Sequence, residues 1–375
     1  MSEAPIPEAP GVSTGTLERI SLYATRNERN LSIAFFAAGF LFDILTLGRI
    51  DSWLTIGQQA AYLIAVTLVL IQMLLAEGQP EKSAADLAAL PRMKRWYYEY
   101  RSPAIHFLLG ALLSAYTLFF FKSSSLLVSF GFLLVLAVLL VANEAPRFKA
   151  LGLRFKFALL ALCWLAFFAY VIPVLIGQTG LAVFLASMAA GCLPLVAVAL
   201  WFSKDKKRQI LVPLGCVVVG FLTFYLFRLI PPVPLSIPFM GVYHAVERTE
   251  AGYKLSHERP VWRFWHNGDQ WFRAQPGDRV HVYFRIFSPS RFQDQVLMRW
   301  YLDDPARGWL LQDTITIKIV GGRELGFRGY GAKTNHQPGD WKVQVETTDA
   351  REIGRIYFKL ESAADSQRTF IVELD

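Results

Sequence analysis

Asp43 is a carboxylate set inside an apolar run, Gly39-Phe-Leu-Phe-Asp43-Ile-Leu-Thr-Leu-Gly-Arg49-Ile-Asp51. An ionised group is costly in hydrocarbon, so a residue of this kind faces either a partner or a path. Two chemistries fit it: a contact for a proton, a cation or a substrate amine, or a salt bridge between helices. Arg228 and the Arg49/Asp51 pair are its expected companions, because all fall at the same end of their apolar runs. His106 lies near the start of another run and reads as an interfacial residue rather than a proton relay.

A second group of chemistry-bearing residues lies in the last third of the chain. His281, Tyr283 and Arg285 alternate with apolar residues, as do Arg299 and Tyr301, so each set shares one face of a strand. Arg323 and Arg328 sit in the glycine-dense loop that begins at Gly321. Guanidinium groups pair with anions, and tyrosine and tryptophan rings stack on sugars. Such residues on outward faces make a glycan or anion platform, whereas on covered faces they are merely a ladder of paired side chains.

Several reactions lack their residues. His244, His257, His266, His281 and His336 show no H-x-x-x-H or H-E-x-x-H spacing, and no cysteine accompanies them, so no metal site is expected. The last third of the chain holds no G-x-S-x-G nucleophile elbow, and the Gly321 loop lacks both the G-x-G-x-x-G order and a G-K-[ST] ending. Neither a cofactor nor a catalytic residue is predicted.

The elements that must carry these groups follow from hydropathy. The chain is 54% hydrophobic with a mean hydropathy of +0.34, and the excess lies before residue 231. Runs there are long enough to cross a bilayer core of about 30 Å. Seven transmembrane helices are predicted, at 31–48, 56–76, 104–121, 126–142, 157–176, 181–202 and 210–230. Residues 1–30 form a cytoplasmic segment whose positions 16–29 make an amphipathic helix on the inner surface. Within 91–103, Trp96, Tyr97, Tyr98 and Tyr100 form an interfacial aromatic belt.

Charge sets the orientation. Lys and Arg number three, five, four and four in the N-terminal segment and alternate loops, against one, one and none in the others. Basic loops stay in the cytoplasm, so the C-terminal domain is expected outside it. The formal net charge of +8 divides into +7 before residue 236 and +1 after it, which leaves the tail no basic face for nucleic acid. The expected partners are the lipid bilayer and an extracytoplasmic protein or glycan.

From residue 241 the period changes to two, with turn signals at sandwich-like spacing. Strands are predicted over 280–286, 296–302, 314–320, 341–347, 353–360 and 367–374, and Asn267-Gly268-Asp269 predicts a hairpin between 261–266 and 270–274. Proline-rich residues 231–240 read as a stiff tether. The fold class is therefore an α-helical membrane bundle followed by an all-β, immunoglobulin-like sandwich over 241–375.

Four segments carry a resemblance: the Gly39 to Asp51 string, His106-Phe-Leu-Leu-Gly110-Ala-Leu-Leu-Ser114-Ala-Tyr116, Gly321-Gly-Arg323 through Tyr330, and Pro338-Gly-Asp-Trp341-Lys-Val-Gln-Val. They resemble uncharacterised bacterial polytopic membrane proteins with a C-terminal domain of unknown function. That resemblance implies the bacterial inner membrane with a periplasmic tail, and no activity. The expected function is a membrane-anchored, non-enzymatic module whose sandwich recognises an envelope protein or glycan. The alternative is a transporter or lipid-processing enzyme with its site between the helices near Asp43.

Overall fold

The computed structural model describes residues 41, 45, 47–79, 89–123, 125–145, 151–250, 252–260, 262–263, 265–290, 292–321, 326–363 and 368–375. Asp43, Arg323, the amphipathic segment and nearly all of the expected first span lie outside these residues. Gly48–Asp375 forms one compact unit.

Among the described residues the unit begins with six helices: α1 (Trp53–Ala76), α2 (Arg92–Lys122), α3 (Leu126–Glu144), α4 (Leu153–Ile176), α5 (Leu181–Leu200) and α6 (Lys204–Leu226). Five of them are long and apolar enough to cross a membrane, and α3 carries a shorter apolar stretch, Val128–Asn143. Many of their apolar side chains, such as Leu54, Phe107, Leu193 and Val219, point outward, as expected of helices whose solvent is lipid. The most enclosed helix is α4, which packs against α1, α2, α5 and α6. Polar groups tie the helices together where apolar contact alone sets no register. The Trp164 indole donates to Thr67 Oγ1 across 3.1 Å, and the Phe184 and Tyr225 rings stack at 3.8 Å.

His106 of α2 is enclosed between helices. It is buried and paired with Asn143 of α3, which donates Nδ2 to the His106 carbonyl at 2.8 Å and faces the ring with Oδ1 at 3.1 Å. That arrangement places the proton on Nδ1 and makes the pair a clamp between α2 and α3.

Eleven strands follow among the described residues, β1 (Ser236–Tyr243), β2 (Ala245–Thr249), β3 (Gly252–His257), β4 (Trp271–Ala274), β5 (Val280–Phe287), β6 (Gln293–Asp304), β7 (Gly308–Val320), β8 (Phe327–Lys333), β9 (Gly339–Thr347), β10 (Glu352–Ser362) and β11 (Ile371–Leu374). Three sheets result, ordered β1-β5-β8, β4-β10-β9-β6-β7 and β11-β3-β2. The first two share one core, with Val282, Phe284 and Ile286 of β5 on one side and Met298, Trp300, Trp341, Val343 and Phe358 on the other. The small third sheet covers the opposite face of β5 through Val246, Leu255 and Tyr283.

Two expectations are corrected here. Asn267-Gly268-Asp269 does not close a hairpin: Gly268 instead bridges Val242 of β1, and β4 runs parallel to β10. The proline-rich segment does not run as a stiff tether through residue 240 either. Residues 231–235 are buried and β1 starts at Ser236, so the β domain sits directly on the helix ends.

Among the described residues, hydrogen bonds between the helical part and the strands gather at one end of the bundle. Asp294 Oδ2 accepts the Thr179 amide at 2.9 Å and its hydroxyl at 2.8 Å, and Gln293 N–H donates to the Gly177 carbonyl at 2.9 Å. Ser125 donates to Glu352, and Tyr225 to Asp349. At the far end lie Arg92, Lys94, Arg95, Arg101, Arg154, Lys156 and the Lys204–Arg208 cluster, where Gln209 bonds Glu77 at 2.6 Å.

Candidate functional site

The pairing of β6, β7, β9 and β10 places a row of aromatic and cationic side chains on the outer face of the five-stranded sheet. Inward residues Val296, Met298 and Trp300 fill the core, so their neighbours Arg299 and Tyr301 face out. Register sets Tyr301 opposite Lys342, Asp303 opposite Trp309, Lys342 opposite Tyr357, and Lys359 opposite both Asp340 and Trp271. The Lys342 ammonium lies 4.5 Å from the Tyr301 ring and 4.8 Å from Trp309, while Trp309 and Tyr357 rings are 5.7 Å apart. Lys359 caps Trp271 at 5.3 Å. Burial, then Arg355, holds the Lys342 ammonium below its usual range.

This row ends in an open cleft of about 420 Å³ lined by His266, Gln270, Asp303, Trp309, Asp340, Trp341, Tyr357, Phe358 and Lys359. It lies at the end of the strands away from the bundle. Glu352, which contacts Ser125, and Lys359 are separated along β10 by roughly 20 Å of extended chain. Chemically the cleft combines aromatic faces with carboxylate and amide acceptors, the set that binds a polyhydroxylated ligand by stacking and by hydrogen bonds.

A second cleft, of about 300 Å³, is lined by Glu258, Arg259, Pro260, Arg263, His266, Gly268, Asp269, Gln270, Trp271 and Arg273. Behind it is a buried ionisable cluster. His244 Nε2 lies 3.5 Å from Asp269 and 3.8 Å from Glu258, and Arg368 meets Asp278 at 2.7 Å. Burial pushes the Asp269 carboxyl up to about 6, while burial and then Arg368 bring His244 down to about 4. Sequence reading missed this cluster, because its five members lie at separate positions from 244 to 368 with no spacing to mark them.

The platform expected from the sequence divides among three places. Tyr283 and Arg285 of β5 and Arg328 of β8 converge on Asp375: Tyr283 donates to its carboxylate, with Arg285 at 3.3 Å and Arg328 at 3.5 Å. The third sheet thus covers a face expected to be wet, and Tyr283 is fully buried. His281, half-buried on the same face, has a pKa lowered chiefly by burial and lies 6.4 Å from the Tyr330 ring. Arg299 pairs with Glu346 at 2.7 Å near the bundle. Tyr301 alone joins the outer aromatic row.

At the helix end, Arg49 and Asp51 form a doubly bonded pair at 3.1 Å, and the Arg49 guanidinium lies 5.5 Å from the Phe287 ring of β5. Arg228 lies close enough to Glu346 to favour ionisation of its carboxyl, against the larger opposing effect of burial. In the glycine-dense loop, Gly321 is required by packing: a Cβ there would stand 1.8 Å from the Pro289 carbonyl oxygen.

A family described as "Protein of unknown function (DUF2914)" matches residues 293–360, the strands that supply Tyr301, Trp309, Lys342 and Tyr357. A comparison with curated proteins finds no match. Among solved structures, an immunoglobulin-like protein from Pseudomonas aeruginosa is 9% identical and covers 34% of this chain and 98% of its own, with a TM-score of 0.22. The Pseudomonas fluorescens alkylpurine DNA glycosylase bound to abasic-site DNA is 10% identical and covers 84% of this chain and 99% of its own, with a TM-score of 0.23.

Proposed function

We propose that this chain is a non-enzymatic recognition protein of the bacterial inner membrane, anchored by seven spans, whose immunoglobulin-like β domain binds envelope glycan in the periplasm. The observation that carries this reading is the Trp309/Tyr357 cleft, in which half-exposed rings 5.7 Å apart stand beside Asp303, Asp340 and Gln270. Its place at the far end of the strands turns it away from the bilayer. The basic residues at the opposite end of the bundle support a periplasmic domain. The gap at the helix–strand junction, lined by Phe120, Pro173, Thr179 and Arg351, is only about 20 Å³, room for little more than a water, which favours a site on the β domain over one there.

The test is a titration of the full-length protein in nanodiscs with chitotetraose, followed by tryptophan fluorescence. Saturable binding that Trp309→Ala weakens about tenfold supports the reading, since a ring-stacking contact contributes on the order of 1 kcal/mol beyond the area it buries. Absence of binding to this neutral probe and to its carboxylated counterpart defeats it.

A further inference from the structure

The two clefts on the β domain share His266 and Gln270 in their walls, so the aromatic cleft runs on into the second one. Gln270 is fixed at the join: its carbonyl accepts the Lys359 amide at 2.8 Å and its side chain donates to the Tyr357 carbonyl at 3.1 Å. The resulting groove is long enough for an extended ligand, since each cleft alone reaches the size of a small-molecule site. Its two halves differ in chemistry. The first presents rings and carboxylates, and the second presents arginines.

Two of those arginines are already matched by acids. Arg259 is anchored by the Arg263 carbonyl at 2.8 Å and by Glu373 at 2.9 Å, and Arg273 meets Glu258 at 3.2 Å. Arg263 lies 4.8 Å over the exposed Trp262 ring and forms no ion pair among the described residues. Arg259 Nε is buried with no hydrogen-bond partner among them. Next to both, His266 has its pKa lowered by burial and then by Arg263 and Arg259, so both guanidinium charges act at this point of the wall, while Glu258 and Asp269 line the same cleft. A planar guanidinium stacked on a ring and still holding unused donors suits a carboxylate or phosphate.

We propose that the glycan bound in this groove carries a negatively charged substituent and that Arg263 receives it, with the sugar backbone stacked in the Trp309/Tyr357 cleft. This inference rests on the glycan reading above. The groove therefore selects charged over neutral glycan, and the selection weakens with added salt.

The experiment compares chitotetraose with the same β-1,4 backbone bearing lactyl carboxylates on alternate sugars, both titrated into the full-length protein in nanodiscs. Inorganic phosphate is included as a competitor. The charged probe should bind about tenfold tighter or more at low salt, the increment of one charge-assisted hydrogen bond. Arg263→Gln should bring the ratio of the two affinities to about one, and Trp309→Ala should weaken both probes. Equal affinities in the wild type, or a ratio that survives Arg263→Gln, overturn the charge inference and leave glycan recognition standing. Displacement of the charged probe by phosphate at matching concentration also overturns it, because the groove then selects small anions. If neither probe binds, both readings fall together.

Discussion

The Tyr225 hydroxyl donates to Asp349 Oδ2 across 2.7 Å, joining the last turn of α6 to the turn between β9 and β10. Arg351 covers the same ring at 4.9 Å and pairs with Asp349 at 2.9 Å, while Thr347 donates a second hydroxyl to that carboxylate at 2.5 Å. Burial opposes the charge on Asp349, but Arg351 and the two hydroxyls outweigh it and hold the pKa below the usual carboxylate value.

The partners in this junction differ in what their loss strands. Tyr225→Phe removes one of several donors and should lower stability by about 1 kcal/mol. Asp349→Ala leaves the buried Arg351 guanidinium without its acid and should lower it by about 3 kcal/mol or more. Thermal unfolding of the detergent-solubilised protein ranks the two variants. An Asp349→Ala protein as stable as Tyr225→Phe would mean that Arg351 is not held by this pair.

Gly268 should tolerate alanine far less than Gly277. Both have left-handed backbones, with φ of +66° and +90°, but a Cβ on Gly268 would lie 1.9 Å from the Val242 carbonyl oxygen and one on Gly277 meets nothing within 4 Å. Gly277→Ala should lose about 1 kcal/mol, from the backbone alone. Gly268→Ala must also break the bridge to β1. Equal unfolding temperatures for the two variants would restore the hairpin reading of the Asn267 to Asp269 segment.

Acid should act on His244 and Asp269 in opposite directions. The unfolded chain protonates a histidine near 6.5, whereas folded His244 does so at about 4, so lowering the pH between those values favours unfolding. Folded Asp269 takes its proton at about 6 and the unfolded carboxyl near 3.8, so lowering the pH through that window favours folding. Each effect is on the order of 3 kcal/mol and they nearly offset. Asp269→Asn should therefore steepen the fall in Tm between pH 6.5 and 4.5, and His244→Gln should flatten or reverse it. Parallel curves for both variants and the wild type would contradict the assignment.

Orientation is open to a direct check. A reporter enzyme active only outside the cytoplasm should work when fused after residue 235 and stay silent after residue 95 or 207, because the basic loops are held inside. Activity at residue 207 with silence after residue 235 would invert the topology.

Periodicity and hydropathy alone were enough to separate an apolar helical half from a β-rich half and to place most strands. Side-chain burial acts locally along an element and leaves a local trace. Strands β5, β6, β9 and β10 fall within a few residues of where their alternating patterns put them. What alternation cannot reveal is which layer lies over each face. Residues 281, 283 and 285 read as a wet face, yet the sheet that covers them is assembled from 245–249, 252–257 and 371–374, at opposite ends of the domain. The tryptophans divide by the same rule: Trp300 and Trp341 are core, whereas Trp262, Trp265, Trp271 and Trp309 remain exposed, and only sheet order decides which. The groove is equally invisible in the sequence, since register between distant strands brings Trp309, Tyr357 and Gln270 together. Pairing free energy that is shared across a whole sheet leaves no motif in any one strand.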